Sequence, residues 1–162
     1  MLVGILSDIH DNLSALQKAL RQLQHADILL FCGDLCSPFV INELGKSFNK
    51  DIHIVFGNND GDLFRITKNS QAFPHIHLHG EMAELEIGGC RFGLNHYDNI
   101  GRVFADSGRY DVVCFGHNHT FEITETKNTM IINPGEILGG LTGVSSYVTF
   151  DTETREALQH KL

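Results

Sequence analysis

Three short, mainly apolar runs in the first third of the chain, only the third of them interrupted, by His53, each stop at a small polar cluster, and this repetition limits the folds available to it. Leu2 to Leu6 ends at Ser7-Asp8-Ile9-His10, Ile28 to Cys32 at Gly33-Asp34, and Ile52 to Phe56 at Gly57-Asn58-Asn59-Asp60. A short continuous apolar run reads as a strand buried on both faces, as the parallel sheets of α/β proteins require. Between the first two runs, Asn12 is placed to cap a helix in which Leu13, Leu16, Leu20 and Leu23 recur at helical spacing. Pro38 to Leu44 reads as a second helix before the third run. The succession is strand, helix, strand, with polar side chains delivered at the strand tips. In an open α/β sheet, ligands bind in the crevice beyond the carboxyl ends of the strands, so residues distant in sequence can meet there.

The second half changes character. Short strands are expected at Met82 to Ile87, Arg91 to Asn95, Val112 to Phe115, Phe121 to Thr126, Thr129 to Ile132 and Ser145 to Phe150, with hairpin turns at Gly88-Gly89 and Lys127-Asn128. A helix is expected at Ile100 to Ser107, and a long loop from Asn133-Pro134-Gly135 through Gly139, Gly140 and Gly143. With 162 residues and no linker or repeat, the chain reads as one domain, 1–162, able to bury a core without staples.

Composition narrows the function. No apolar run approaches the roughly 18 to 20 residues that cross a bilayer, and the start lacks a basic leader, so a cytoplasmic protein without membrane contact is expected. The net charge of -8, from 12 Lys plus Arg against 20 Asp plus Glu, provides no broad basic surface to track a long nucleic acid. Cys32, Cys90 and Cys114 lie in or beside apolar runs and read as buried thiols; Cys36 lies two residues after Asp34.

The polar clusters contain oxygen and imidazole ligands in the number that two neighbouring divalent cations need. Asp8 and His10 can turn one carboxylate and one imidazole toward a first cation, and Asp34 has two oxygens with which to bridge. His117 and His119 follow the expected strand Val112 to Phe115, with Gly116 permitting a tight turn. Asn58 offers a neutral amide oxygen and His96 a further imidazole. Two such ions about 3.5 to 4 Å apart can hold a bridging hydroxide and clamp both oxygens of an in-line displacement at phosphorus. They would also draw a small phosphate ester to an acidic protein. Mixed hard oxygens and imidazoles suit Mn²⁺, Fe²⁺, Zn²⁺ or Ni²⁺ better than Mg²⁺ or Ca²⁺ without choosing among the four, and Mn²⁺ is the ion expected here.

Taken in order, Asp-x-His, Gly-Asp, Gly-Asn-x-Asp, a lone His and Gly-His-x-His resemble the calcineurin-like metallophosphoesterase superfamily. The short length and the Gly-Asn-Asn-Asp spelling are similar to its small prokaryotic YfcE-type phosphodiesterases. The resemblance runs from Leu2 to Asn133-Pro134-Gly135. It implies an α/β four-layer αββα sandwich, two mixed β-sheets packed face to face with helices outside. It implies that Asp8, His10, Asp34 and His119 hold one metal and Asp34, Asn58, His96 and His117 the other, with Asp34, Asn59 and Asp60 nearest the chemistry. The implied activity is hydrolysis of small phosphodiesters by a metal-bridging hydroxide. The alternatives are a phosphomonoesterase, or a protein-binding scaffold on the same fold like the retromer subunit; homo-oligomerisation stays open.

Two departures from the resemblance bear on function. Many members carry His where this chain has Asn59, and an amide cannot protonate a leaving group. After Asn133-Pro134-Gly135 comes Glu136-Ile137-Leu138-Gly139-Gly140 with no basic residue, which leaves Arg65 and Arg102 either as phosphate contacts or, more simply, as solvated surface groups. His75, His77 and His79 alternate as on a half-exposed strand, which could also form a zinc ladder or a pH-sensitive interface. Asp60 and Asp98 read as acids that orient histidines.

Overall fold

Side-chain alternation along the first strand sets the layering. The computed structural model describes all residues, Met1–Leu162. In β1 (Leu2–Leu6), Val3 and Ile5 point into one core and Leu6 into another on the opposite side of the sheet. The chain continues through α1 (Leu13–Gln22), β2 (Ile28–Phe31), α2 (Pro38–Ser47), β3 (Ile52–Ile54), α3 (Leu63–Ser70) and β4 (Ile76–Leu78). It then forms β5 (Met82–Ile87), β6 (Cys90–Asn95), α4 (Asp98–Asp106), β7 (Val112–Cys114), β8 (Glu122–Thr126), β9 (Thr129–Asn133), β10 (Ser146–Asp151) and β11 (Glu156–Lys161).

Two mixed sheets result, in strand order β11-β10-β1-β2-β3-β4 and β5-β6-β7-β9-β8. In the first, β1 to β4 run parallel, and β10 closes one side antiparallel to β1. In the second, β6, β7 and β9 run parallel between the antiparallel edge strands β5 and β8. Val3, Ile5, Leu30 and Cys32 meet Phe92, Leu94, Cys114 and Ile132 between the sheets. Leu16, Leu20, Val40, Ile41 and Ile66 cover the outer face of the first sheet, and Ala105 packs with Val113, Phe115 and Ile131 on the outer face of the second. This is the four-layer α/β arrangement implied by the resemblance.

Local chemistry supports the elements. The Asn12 side chain accepts from the Ala15 N–H at 3.1 Å and starts α1, which buries Leu16, Ala19 and Leu20. Two elements have no counterpart in the sequence reading, α3 and β11, whereas β4 falls on the half-exposed strand expected around His75, His77 and His79. The helix α3 buries only Ile66 and Ser70, too few apolar contacts to leave a periodic signal. The edge strand β11 is polar, EALQHK, and is held by backbone pairing to β10. His77 of β4 and His79 just beyond it stack against His53 of β3, with centroids 4.7 and 5.0 Å apart, and His77 Nε2 lies 3.2 Å from Asp51. No helix is long and apolar enough to cross a membrane.

Register does the positioning. Leu6 pairs with Phe31 and Phe31 with Ile54, so the loops holding Asp8, Asp34 and Asn58 leave the first sheet side by side. Leu94 pairs with Cys114 and Cys114 with Ile132, which likewise aligns the loops that follow β6, β7 and β9.

Candidate metal centre

Residues leaving parallel strands must turn sharply to face one another, and the backbone shows it. Asp8, His10, Asp34, His117 and His119 all have positive φ, between 44° and 70°. Non-glycine residues rarely adopt this conformation, and it costs on the order of 1 kcal/mol or more at each position. Two cross-links hold the turns: Asp8 N–H donates to the Gly33 carbonyl at 3.0 Å and His10 N–H to the Asp34 carbonyl at 3.1 Å. At Gly116 the space is so tight that a Cβ would overlap Ser7 Oγ and Asp8 Oδ2.

The seven expected ligands converge as two groups sharing Asp34. In the first, His10 Nε2 lies 3.4 Å from Asp34 Oδ2 and 3.7 Å from Asp8 Oδ1, and His119 Nε2 lies 3.4 Å from Asp8 Oδ1. In the second, His96 Nε2 lies 3.5 Å from Asp34 Oδ2, and Asn58 Oδ1 lies 3.1 Å from His96 Nε2 and 3.0 Å from His117 Nδ1. Donors bound to a single cation at about 2.0 to 2.2 Å stand roughly 3.0 to 3.5 Å apart, so both groups have a spacing suited to a shared ion.

A further observation tests that fit. Asp8 Oδ1 and His10 Nε2 are buried with no hydrogen-bond partner. A buried polar atom left unpaired costs about 1 to 3 kcal/mol, and a cation between these two would satisfy both. The other oxygen, Asp8 Oδ2, is already occupied by the His117 N–H at 3.2 Å. The tautomers agree: His96 Nδ1 donates to the Cys32 carbonyl at 2.8 Å and His119 Nδ1 to the Glu136 carboxylate at 2.7 Å, which turns both Nε2 lone pairs inward.

The electrostatics centre on Asp34. Burial acts to raise its carboxyl, but the adjacent His96 imidazole and hydrogen bonds from the Asn59 side chain and backbone hold it well below the usual range. The Asp8 carboxylate raises the His10 imidazole, against the opposing effect of burial. Burial lowers His96, but the adjacent Asp34 outweighs it and the net shift is upward. Burial, reinforced by Asp34 and Asp60, pushes the Cys36 thiol up to about 12, so the thiol that meets His10 Nδ1 at 3.4 Å stays protonated. Cys32, Cys90 and Cys114 are free and buried, as expected.

Asn59 and Asp60 take distinct places. Asn59 is exposed, yet its Nδ2 donates to Asp34 Oδ2 and its N–H to Asp34 Oδ1, each at 2.8 Å. Asp60 touches none of the histidines. Its Oδ2 accepts from Gly57 and Asp34 N–H at 2.7 and 3.1 Å, and its Oδ1 from Cys36 N–H at 2.8 Å. The acid therefore ties the Asn58 loop to the Asp34 loop rather than orienting an imidazole. Burial pushes its carboxyl above the ordinary value despite those donors.

Other expected residues lie apart. Asp98 sits in the first turn of α4. Arg65 pairs with Asp62 at 2.6 Å, and Arg102 grips both oxygens of Glu122 at 3.2 and 2.6 Å; neither hydrogen-bonds to a ligand residue. Glu136, the partner of His119, escaped the sequence reading, although its place directly after Asn133-Pro134-Gly135 had marked the segment as unusual. Asn58, Asn59 and His117 are exposed while Asp8, Asp34, His96 and His119 are buried, so the centre opens to solvent on the Asn58 side.

Comparison with known proteins agrees with this geometry. Residues 1–155 match the calcineurin-like phosphoesterase superfamily domain. The chain is 32% identical over 160 residues to phosphodiesterase MJ0936 of Methanocaldococcus jannaschii, covering 96% of each. A solved archaeal phosphodiesterase, also 32% identical, superposes with a TM-score of 0.93 over 100% of both chains. The Escherichia coli phosphoesterase YfcE shares the fold at 20% identity, with a TM-score of 0.69 over 99% of this chain and 98% of its own.

Proposed function

Because this chain belongs to the calcineurin-like phosphoesterase superfamily and is a metal-dependent phosphoric ester hydrolase, we propose that it hydrolyses small phosphodiesters at a binuclear centre. Asp8, His10, Asp34 and His119 would hold one divalent cation, and Asp34, Asn58, His96 and His117 the other, Mn²⁺ being the foremost candidate. The observation that carries this reading is the unpartnered pair Asp8 Oδ1 and His10 Nε2, buried against the shared Asp34. Bound there, two cations would supply Lewis-acid activation of water and neutralise the charge gathering on phosphate.

The protein's own groups divide the remaining work. Asp34 is the common carboxylate, and the two Asn59 donors fix its orientation. Asp60 holds the Asn58 loop against it through the backbone. The Cys32 carbonyl keeps His96 in the tautomer that presents Nε2. No histidine stands at position 59, so a leaving oxygen receives no proton there, and turnover depends on how stable that oxygen is as an anion.

The test is an assay of Mn²⁺-, Ni²⁺- or Zn²⁺-loaded protein on paired aryl and alkyl phosphodiesters and an aryl phosphomonoester, with Asp34→Asn as control. The aryl diester should turn over fastest, on the order of 100-fold or more above the alkyl diester, and Asn59→His should narrow that gap. Equal rates on aryl and alkyl diesters would overturn the leaving-group argument. Absence of turnover with every metal would leave a protein-binding role.

A further inference from the structure

Glu136 is a fully buried carboxylate directly behind a proposed ligand, and both of its oxygens accept hydrogen bonds. Its Oε2 accepts from His119 Nδ1 at 2.7 Å. Its Oε1 accepts from the Leu141 N–H at 3.0 Å and from both the N–H and the hydroxyl of Thr142 at 2.7 Å. An ionised carboxylate survives burial only when its lone pairs are engaged in this way.

The two oxygens face two different structures. One holds the His119 imidazole; the other gathers the turn around residues 138–144, folded back over the carboxylate with Gly139 and Gly143 at positive φ, 67° and 79°. The base of this turn runs along the tip of β1, where Ile137 N–H donates to the Ser7 carbonyl at 3.1 Å and Leu138 N–H to the Asp8 carbonyl at 2.9 Å. The turn is thereby fastened to both Asp8 and His119. Its outer part is open, with Leu141 72% exposed, and Thr142 and Val144 line a cleft of about 300 Å³ together with His119 and Phe121.

We propose that Glu136 is a positioning residue that couples the 138–144 turn to cation binding at His119, so that ion occupancy and order of the turn rise and fall together. The proposal rests on the reading of His119 as a metal ligand. A cation on Nε2 polarises the imidazole and strengthens the Nδ1–H bond to Glu136, while the carboxylate makes Nε2 the better donor to the ion. Coupling of this kind is reciprocal: whatever loosens the turn weakens the ion, and loss of the ion loosens the turn.

Glutamine at this position separates the two roles, because an amide has one acceptor where two are needed. If its oxygen faces His119, its NH₂ confronts the Leu141 and Thr142 N–H groups; reversed, it confronts Nδ1–H. The experiment measures Mn²⁺ affinity and stoichiometry by titration calorimetry, and amide hydrogen exchange across residues 138–144 with and without Mn²⁺. The parent should bind two ions and show slowed exchange in the turn. Glu136→Gln should weaken one of the two by about 10- to 100-fold, spare the other, and abolish the Mn²⁺-dependent slowing. Thr142→Val leaves the His119 bond in place, and it should speed exchange in the turn and weaken the same ion by a few-fold; it carries the test if Glu136→Gln does not fold. Parent-like affinity and parent-like slowing in the variants, with His119→Ala losing one ion, would overturn the coupling alone. A parent that binds no Mn²⁺ or Zn²⁺ would overturn the metal-centre reading with it.

Discussion

Replacing Asp60 by asparagine changes one atom, and its consequence can be followed bond by bond. The carboxylate receives three backbone donors, Gly57 and Asp34 on Oδ2 and Cys36 on Oδ1, at 2.7, 3.1 and 2.8 Å. The amide oxygen serves the pair on Oδ2 best, which turns the NH₂ group toward the Cys36 N–H. The loss is one bond to a charged acceptor, about 1.5 to 3 kcal/mol, together with weakening of the other two. Release from burying a charge returns part of this, since burial is the largest influence on the Asp60 carboxyl. The net destabilisation comes to about 2 kcal/mol, and at 2 to 4 °C per kcal/mol for a domain of this size Asp60→Asn should melt roughly 4 to 8 °C below the parent. Calorimetry in EDTA measures this without any metal contribution. Because the same three bonds align the Asn58 and Asp34 loops, Mn²⁺ affinity should fall at least about 10-fold in a companion titration. A melting temperature within 1 °C of the parent, or an unchanged affinity, would refute the view that this acid works through the backbone.

Other perturbations probe the remaining links. Mn²⁺ at about 100 times its dissociation constant should stabilise the parent by about 2.7 kcal/mol for each ion bound in thermal melts, EDTA should reverse the gain, and Asp34→Asn should largely abolish it because both ions would share that carboxylate. Gly116→Ala drives a Cβ into Ser7 Oγ and Asp8 Oδ2, so a stability loss of about 1 to 3 kcal/mol and loss of the Mn²⁺-induced shift are expected in the same melts. His53 should destabilise the protein in acid. Burial, then His77 and His79, lower it from 6.5 to about 4, so the unfolded chain takes up a proton that the folded one refuses. Stability is then complete above about pH 6.5 and declines as pH falls toward about 4; the group is half-buried and screened by water, so the loss is on the order of 1 kcal/mol. Urea melts of His53→Gln at pH 7 and pH 4.5 should show a smaller difference than those of the parent.

The apolar runs that end at Asp8, Asp34 and Asn58 were sufficient to imply buried parallel strands with ligands at their tips, because hydrophobic patterning is local and strand ends are where polarity returns. The same reasoning found β5 to β10 within a residue or two, yet passed over α3 and β11, which bury little and owe their place to neighbours. The choice of ligand types was likewise legible, since Asp, Asn and His announce their chemistry by identity. What no local pattern contains is mutual distance. Pairing of Leu6 with Phe31 and of Leu94 with Cys114 set the loops side by side, and packing of the two sheets brought Asp8 within 3.4 Å of His119. Asp60 and Glu136 show the limit most clearly. Each is an acid in a loop when read in sequence, and its role depends on which donors the fold places around it: three N–H groups for one, an imidazole and a folded-back turn for the other. Sequence by itself determined most of the strands and the kinds of ligand, the layers coming only with the family resemblance; the tertiary structure decided which carboxylates are directed inward and which fasten loops, because that depends on contacts between distant segments, Asp60 with Asp34 and Cys36 and Glu136 with His119.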